Sequence, residues 1–304
     1  MQLIKQAIQN NQLARAGLIA SQHIVGAQKD ICTCLRKVER WAKQAKVMAH
    51  ISQPDQAAFE RLIQFFYRDL AFSGSHLRGE ISPYEVERQS VLHQVLDYRS
   101  GTPVTLGIVF SSVAQHLGFK VACVNFPGHF LLRCDITPPE VEATLQNGAV
   151  SSQPCNVGGY SDSPVVSTSL FIDPNDGRIL SQEILEQMYF EVIEEIDDET
   201  MPKEALETAS CDEVVVHMLN QLKASLINAK RYEEALRSIE LLIALCPNNP
   251  YERRDRGVLL HELACPQLAI IDYQYFIRQC PDDPAATLLA QQVKHMNITP
   301  PVMH

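Results

Sequence analysis

The sequence predicts an α+β domain followed by an all-α repeat module. The first part is predicted by three short runs of β-branched and aromatic residues that stand between helices with a regular apolar stripe. The second part is predicted by two Cys-Pro phrases, beginning at Cys246 and Cys280, that stand 34 residues apart. We expect the α+β domain, with helices at its start, to occupy residues 1–200 and the repeat module to occupy residues 201–304.

Composition restricts the class of partner. A formal net charge of −10 gives a field that repels phosphate groups, so we expect no direct nucleic-acid partner. No run of 18 apolar residues is present, and we therefore expect no membrane partner. The nine cysteines are scattered and no apolar leader opens the sequence, which favours reduced thiols and a cytoplasmic location.

The elements of the α+β domain follow from periodicity and from residues that end helices. The strongest helix covers residues 103–117, because Thr102 suits the cap, Pro103 the first turn and Gly118 the end. The remaining predictions are helices in residues 1–50, 55–71, 84–98 and 181–190, strands in residues 121–126, 129–134 and 169–174, a polar loop or disordered insertion in residues 136–167, and an acidic linker in residues 191–202.

The 34-residue period is that of the tetratricopeptide repeat, which packs two helices into a hairpin. Counting back from the two Cys-Pro phrases places the repeats at residues 216–249 and 250–283, with the small residues Ala235 and Ala269 at equivalent positions. Two repeats rarely bury a stable core alone. We therefore expect residues 284–296 to form a capping helix and the remaining open face to pack on the N-terminal domain.

Two roles remain open for the repeats. They could act only as a structural brace, or they could hold a protein or peptide partner in a groove. The groove hypothesis rests on polar and aromatic residues of the first helix of each repeat, namely His217, Asn220, Asn228, Tyr251, Arg254 and His261. Only Arg254 is a fixed cation in that set, and the Lys/Asn pattern that clamps a chaperone's terminal carboxylate is missing.

The predicted α+β domain has a helix, a strand with a His and a strand with an Asp in the order found in a class of enzymes. In papain-like enzymes a Cys at a helix N-terminus is activated by the helix dipole and a nearby His, and an Asp or Asn on the next strand orients the imidazole. Here His129 begins a predicted strand and Asp173 ends another.

Three phrases, residues 96–106, 124–130 and 171–177, resemble the bacterial transglutaminase-like proteins with C-terminal tetratricopeptide repeats, often described as invasion-gene regulators. The resemblance implies a transglutaminase-like (papain-like) fold. It also implies that His129 and Asp173 occupy the catalytic His and Asp positions.

No nucleophile accompanies this pair. The first turn of the 103–117 helix contains no Cys, and Cys123 and Cys134 fall on predicted strands. Thr102 and Thr105 stand where a nucleophile belongs, but a helix dipole activates a hydroxyl far less than a thiol. We therefore expect a non-catalytic interaction or regulatory protein, a pseudoenzyme, without cofactor or metal.

Three alternatives remain open. One is an active cysteine- or threonine-type hydrolase or amidotransferase that uses His129 and Asp173. The second is a purely structural assembly subunit, and the third is a cleft at His129 that binds a ligand or peptide.

Overall fold

The computed structural model describes residues 1–26, 29–74, 88–136, 168–193 and 200–296. The helices of the first half are α1 (Gln2–Gln9), α2 (Leu13–Val25), α3 (Ile31–Met48), α4 (Gln56–Gln64), α5 (Leu92–Tyr98) and α6 (Pro103–Gln115). The strands are β1 (Ser73–Gly74), β2 (Ser100–Gly101), β3 (Lys120–Phe126), β4 (His129–Ile136), β5 (Thr168–Ile172) and β6 (Ile179–Leu180). The helices of the second half are α7 (Gln182–Val192), α8 (Cys211–Asn228), α9 (Tyr232–Leu245), α10 (Pro250–Glu262), α11 (Pro266–Gln279) and α12 (Pro284–Met296).

These elements confirm the predicted α+β class with a helical C-terminal module. The helix predicted at 103–117 begins at Pro103 and ends two residues early, at Gln115. A π-helical turn, Phe65–Asp69, continues α4. Residues 137–167 of the predicted insertion, 84–87 of a predicted helix and 194–199 of the acidic linker lie outside the described residues.

Contacts between residues divide the chain into two compact units, each assembled from separate segments. The first contains Met1–Leu35, Ser75–Thr105 and Ser210–His304, and the second contains Arg36–Gly74 and Leu106–Ala209. These contact units do not test the predicted domain boundary at residue 200, because a domain is a part of the chain that folds independently. The boundary therefore stays a prediction.

The second unit is built on an antiparallel sheet of order β3-β4-β5-β6. A tight turn joins β3 to β4, pairing Phe126 with His129, and Gly128 takes a φ of +70° there. Glycine suits this left-handed conformation because it has no Cβ to clash with the backbone.

The two faces of the sheet pack against different helices. On one face, Phe130 and Leu132 pack so closely on α6 that a Cβ added to Gly107 would lie 2.8 Å from the Phe130 ring. On the other face, a core joins the sheet to α7; its buried members are Val124, Phe126, Leu131, Leu180, Leu185 and Tyr189. Because side chains alternate along a strand, neighbouring residues of β4 serve different cores.

The predicted repeats form in the first unit. Hairpins α8–α9 and α10–α11 cover the two repeats, Ala235 and Ala269 are fully buried, and α12 is the predicted capping helix. Helix α2 packs against α8 and α9. An N-terminal helix therefore covers the first hairpin, and the expected packing of the open face on the N-terminal domain stays a prediction.

Candidate functional site

His129 projects from the face of the sheet that packs on α7. Its neighbour Phe130 packs on α6, so the alternation of side chains turns the imidazole to the opposite face. The ring contact agrees, because the centroids of His129 and Phe126 are 6.4 Å apart and Phe126 in turn contacts Tyr189 at 6.2 Å. The imidazole is exposed.

Asp173 follows β5 and holds a turn together. Its Oδ1 accepts hydrogen bonds from the backbone N of Asn175 at 2.8 Å and from the Asn175 side chain at 3.0 Å. Its Oδ2 lies 4.0 Å from Nη2 of Arg178, and its backbone oxygen accepts from Gly177 at 2.8 Å. The contacts described for this carboxylate are thus made by its own turn, residues 173–178.

Sequence reasoning missed Tyr67, which fastens the same turn. The Tyr67 hydroxyl donates to the backbone oxygen of Pro174 at 2.8 Å, and its ring lies where a Cβ of Gly177 would stand. Burial, followed by the charges of Asp173 and Asp176, raises the pKa of this phenol well above its ordinary value, so it stays a donor at neutral pH. Tyr67 stands at helical spacing from Phe59 and Ile63, so the sequence pattern indicates a core residue, and only the contact with Pro174 identifies it as a hydrogen-bond donor to this turn.

Gly74 fastens the turn from a second side. Its backbone N donates to the oxygen of Asn175 at 2.8 Å, and an added Cβ would overlap the Asn175 side chain. The Asp-Pro-Asn-Asp-Gly segment is therefore held rigidly by residues far away in sequence.

Thr102 and Thr105 form the N-terminal cap of α6. The backbone N of Thr102 donates to Oγ1 of Thr105 at 2.9 Å, and the backbone N of Thr105 donates to Oγ1 of Thr102 at 3.4 Å. This reciprocal arrangement satisfies helix-end groups that would otherwise lack partners. The Thr105 hydroxyl also donates to the backbone oxygen of Gln89 at 2.8 Å, and Thr105 is only 1% exposed.

The residues of the predicted catalytic site are divided between the two compact units. Thr102 and Thr105 lie in the first, and His129 and Asp173 lie in the second. Their catalytic roles stay predictions.

The strand cysteines are buried thiols. Cys123 is 3% exposed and Cys134 is 1% exposed. Burial, helped by the charge of Asp135, raises the pKa of Cys134 to about 12. Since the thiolate is the nucleophilic form, a raised pKa makes Cys134 a poor nucleophile at neutral pH.

The predicted groove residues occupy α8 and α10. Tyr251, Arg254 and His261 share one stripe of α10, and the Arg254 guanidinium lies 5.1 Å from the Tyr251 ring centroid. His261 Nδ1 lies 2.8 Å from Nε2 of Gln292, which joins this stripe to α12.

The three predicted groove residues of α8 differ in burial. His217 and Asn220 are half-buried, and burial lowers the pKa of His217. Asn228, the last residue of α8, is exposed.

A network of four charges, which sequence reasoning missed, joins α8 to α10. Lys223 donates to both oxygens of Glu252, at 3.2 and 3.0 Å, and to Asp255 Oδ2 at 2.9 Å. Nε and Nη2 of Arg254 donate to Asp255 Oδ1 at 3.1 and 2.9 Å. Glu252 is 4% exposed, and a carboxylate so deep requires such partners.

Within the described ranges, no group of three or more His, Cys, Asp or Glu residues is placed to hold a metal ion. None of the helices that the structure describes is long and apolar enough to cross a membrane.

A helix followed by an antiparallel sheet, with a His and an Asp at the ends of adjacent strands, defines the transglutaminase-like class. The chain belongs to the transglutaminase-like superfamily, whose family model matches residues 33–220, and a tetratricopeptide repeat model matches residues 222–294. Both matches confirm the predicted family and fold.

Bacterial relatives match across most of their length. The chain is 30% identical over 261 residues to a UPF0162 protein of Vibrio cholerae, covering 86% of this chain and 84% of the relative. It is 29% identical over 279 residues to the UPF0162 protein YchA of Escherichia coli (88% and 87% covered) and 28% identical over 261 residues to Protein SirB1 of Salmonella typhimurium (86% and 83% covered). No solved structure matches this chain.

Proposed function

We propose that this protein is a bacterial, cytoplasmic pseudoenzyme that acts as an interaction or regulatory protein. The observation that carries the proposal is the cap of α6. At the helix end where this class needs a nucleophile, the hydroxyls of Thr102 and Thr105 take part in the cap. The Thr105 hydroxyl also donates a hydrogen bond to the buried backbone oxygen of Gln89. Charge alone disfavours a direct nucleic-acid role, so any effect on gene expression would pass through protein partners.

The geometry of His129 and Asp173 supports the same proposal. In an active site of this class the carboxylate orients the imidazole by a hydrogen bond. The Asp173 carboxylate is occupied by its own turn.

The rival function is an active hydrolase or amidotransferase that uses His129 and Asp173. An electrophilic acyl probe that reacts with activated thiols and hydroxyls tests it, with labelled residues located by mass spectrometry. We expect no labelling that depends on the imidazole, so wild type and His129→Ala should give equal label. Stoichiometric labelling of one residue, lost in His129→Ala while both proteins stay folded, would overturn the pseudoenzyme proposal.

The repeats are the proposed partner-binding part. Tetratricopeptide modules bind other proteins along helix faces, and this module leaves large apolar residues in solvent. Tyr251, Val258 and Leu288 are 42%, 43% and 67% exposed. Exposed apolar side chains grouped on one face indicate an interaction surface.

Crosslinking in cells tests this role, with a photoreactive amino acid placed at Leu288. We expect a discrete protein adduct that is absent when the same amino acid replaces Thr287, which is also exposed but one position off the face. Adducts of equal pattern at both positions would support the brace or structural-subunit alternatives instead.

A further inference from the structure

The repeats align one stripe of residues from each of three helices. Positions 34 residues apart are equivalent, so His217, Tyr251 and Ala285 correspond, as do Asn220, Arg254 and Leu288. Contacts agree with this alignment, because Tyr251 donates to Asp283 Oδ2 at 3.0 Å and His261 meets Gln292. We call this surface the groove face; its members are His217, Asn220, Tyr251, Arg254, Val258, His261, Leu288 and Gln292.

The carboxylates around the groove face already have hydrogen-bond donors. Lys223 supplies both oxygens of Glu252, and Lys223 and Arg254 supply the two oxygens of Asp255. Asp283 accepts from the Tyr251 hydroxyl on Oδ2 and from the backbone N of Ala285 on Oδ1 at 2.8 Å. A cationic partner would therefore have to compete with donors that are in place.

Arg254 differs from these groups because its guanidinium has donors left over. Nε and Nη2 bind Asp255, which leaves Nη1 outside that ion pair. The guanidinium is also held over two rings, 5.1 Å from the Tyr251 centroid and 5.6 Å from that of Phe276. Since Arg254 remains 32% exposed, a stacked and pre-oriented cation faces solvent.

The surroundings of Arg254 are apolar on the same face. Val258 lies one turn further along α10, and Leu288 occupies the position on α12 that Arg254 occupies on α10. An occupant must thus offer an oxygen anion next to apolar side chains. The overall charge of −10 opposes an anion only weakly here, because exposed charges more than about 8 Å away are screened at physiological salt.

We propose that the groove face binds a peptide segment in which a carboxylate pairs with Arg254 and an adjacent apolar side chain packs on Val258 and Leu288. The carboxylate comes from Asp, Glu or a C-terminus. The proposed site differs from a Lys/Asn clamp, because the single stacked guanidinium of Arg254 supplies its positive charge. The inference rests on the proposed function, since it names the partner chemistry of the same repeats.

Affinity selection from synthetic peptides tests the chemistry. Two pools of random octapeptides, one with free C-termini and one with amidated C-termini, are equilibrated with the full-length protein, and retained peptides are sequenced by mass spectrometry. We expect acidic residues beside Leu, Ile, Val or Phe to be enriched. Enrichment in both pools assigns the carboxylate to side chains, and enrichment in the free pool alone assigns it to the C-terminus.

Variants then locate the binding. Retained peptides should bind Arg254→Gln at least ten-fold more weakly, whereas Arg278→Gln, an exposed cation elsewhere on the repeats, should change affinity less than two-fold. Enrichment of basic residues, or acidic peptides indifferent to Arg254→Gln, would overturn the inference. If peptides that are indifferent to Arg254→Gln nevertheless fail to bind Leu288→Asp, the proposed partner-binding function survives and only the inference about the carboxylate fails. If neither pool yields a peptide whose binding depends on Leu288, both the proposed function and the inference fail.

Discussion

At the scale of single residues, the same side chains that suggest chemistry carry structural hydrogen bonds. Thr105 caps a helix and donates to Gln89, and Asp173 organises its own turn. A buried group that gives its proton or lone pairs to the backbone is costly to remove, because its partner is left unsatisfied. These residues therefore matter for stability, and their removal should be visible without any assay of activity.

Thr105→Val should lower the free energy of unfolding by about 0.5–1.5 kcal/mol, because the side-chain volume is kept while the hydrogen bonds of the hydroxyl with the Gln89 oxygen and the Thr102 N–H are lost. That oxygen and that N–H stay bonded to each other at 3.3 Å, so neither is left without a partner. Urea denaturation followed by circular dichroism measures the change. The matched control is Thr287→Val on the exposed side of α12, which should stay within about 0.5 kcal/mol. An equal effect of both variants would argue against the described cap.

Tyr67→Phe should destabilise the protein by about 1 kcal/mol at neutral pH, because the Pro174 oxygen loses its donor. The pKa of Tyr67 is raised in the folded state, so its contribution is present below pH ~10, the ordinary tyrosine value, and is lost as the pH rises toward the folded pKa. The difference in stability between wild type and Tyr67→Phe should therefore shrink above pH ~10. Chemical denaturation at pH 8 and pH 10.5 checks this, and a constant difference would contradict it.

At the scale of elements, helices are joined by polar contacts as well as by apolar burial. Ala269 and Gly257 let the paired helices α10 and α11 approach closely, and a Cβ on Gly257 would lie 2.7 Å from the Tyr273 ring. Between the hairpins, the Lys223 network ties α8 to α10. A buried ion network sets the position of one helix on another because only one geometry satisfies every charge.

Lys223→Met should reduce stability by about 3 kcal/mol, since it removes the counter-charge described for the buried Glu252 carboxylate, whereas Asp255 keeps its ion pair with Arg254. Thermal unfolding measures the loss. Replacing Glu252 with Gln in the same chain should recover part of it, because a neutral amide tolerates burial better than an unpaired carboxylate. Lys294→Met, an exposed lysine of α12, is the control and should have little effect.

At the scale of the whole molecule, the repeats are completed by residues from the other end of the sequence. Helix α2 packs on α8 and α9, and Gly17 of α2 stands where an added Cβ would lie 2.9 Å from Leu92 and 3.2 Å from Met218. Three separated segments thus meet at one small residue. Two repeats with one capping helix gain a further helix layer in this way, which agrees with the number of layers that such arrays need.

Gly17→Val should therefore weaken the repeats although the substitution lies about 200 residues before them. The added side chain overpacks the contact and should cost about 1–3 kcal/mol. Hydrogen exchange should show faster exchange in α8 and α9 than in wild type. Arg15→Val, on the exposed side of α2, introduces the same side chain into the same helix without overpacking a contact and serves as the control; equal exchange in both variants would contradict a supporting role of α2.

Residues near one another in sequence were sufficient to predict many of the elements of this protein. The 34-residue period, Ala235 and Ala269 determined the repeats, and Thr102 with Pro103 determined where α6 begins, because periodicity, close helix packing and capping depend on residues near in sequence. Tertiary structure alone decided the rest. The packing of α7 against the side of the sheet that carries His129 depends on contacts of Tyr189 with Phe126, the Asp173 turn depends on Tyr67, and the Lys223 network depends on α10. Each of these joins residues brought together only when the chain packs, which no local pattern records.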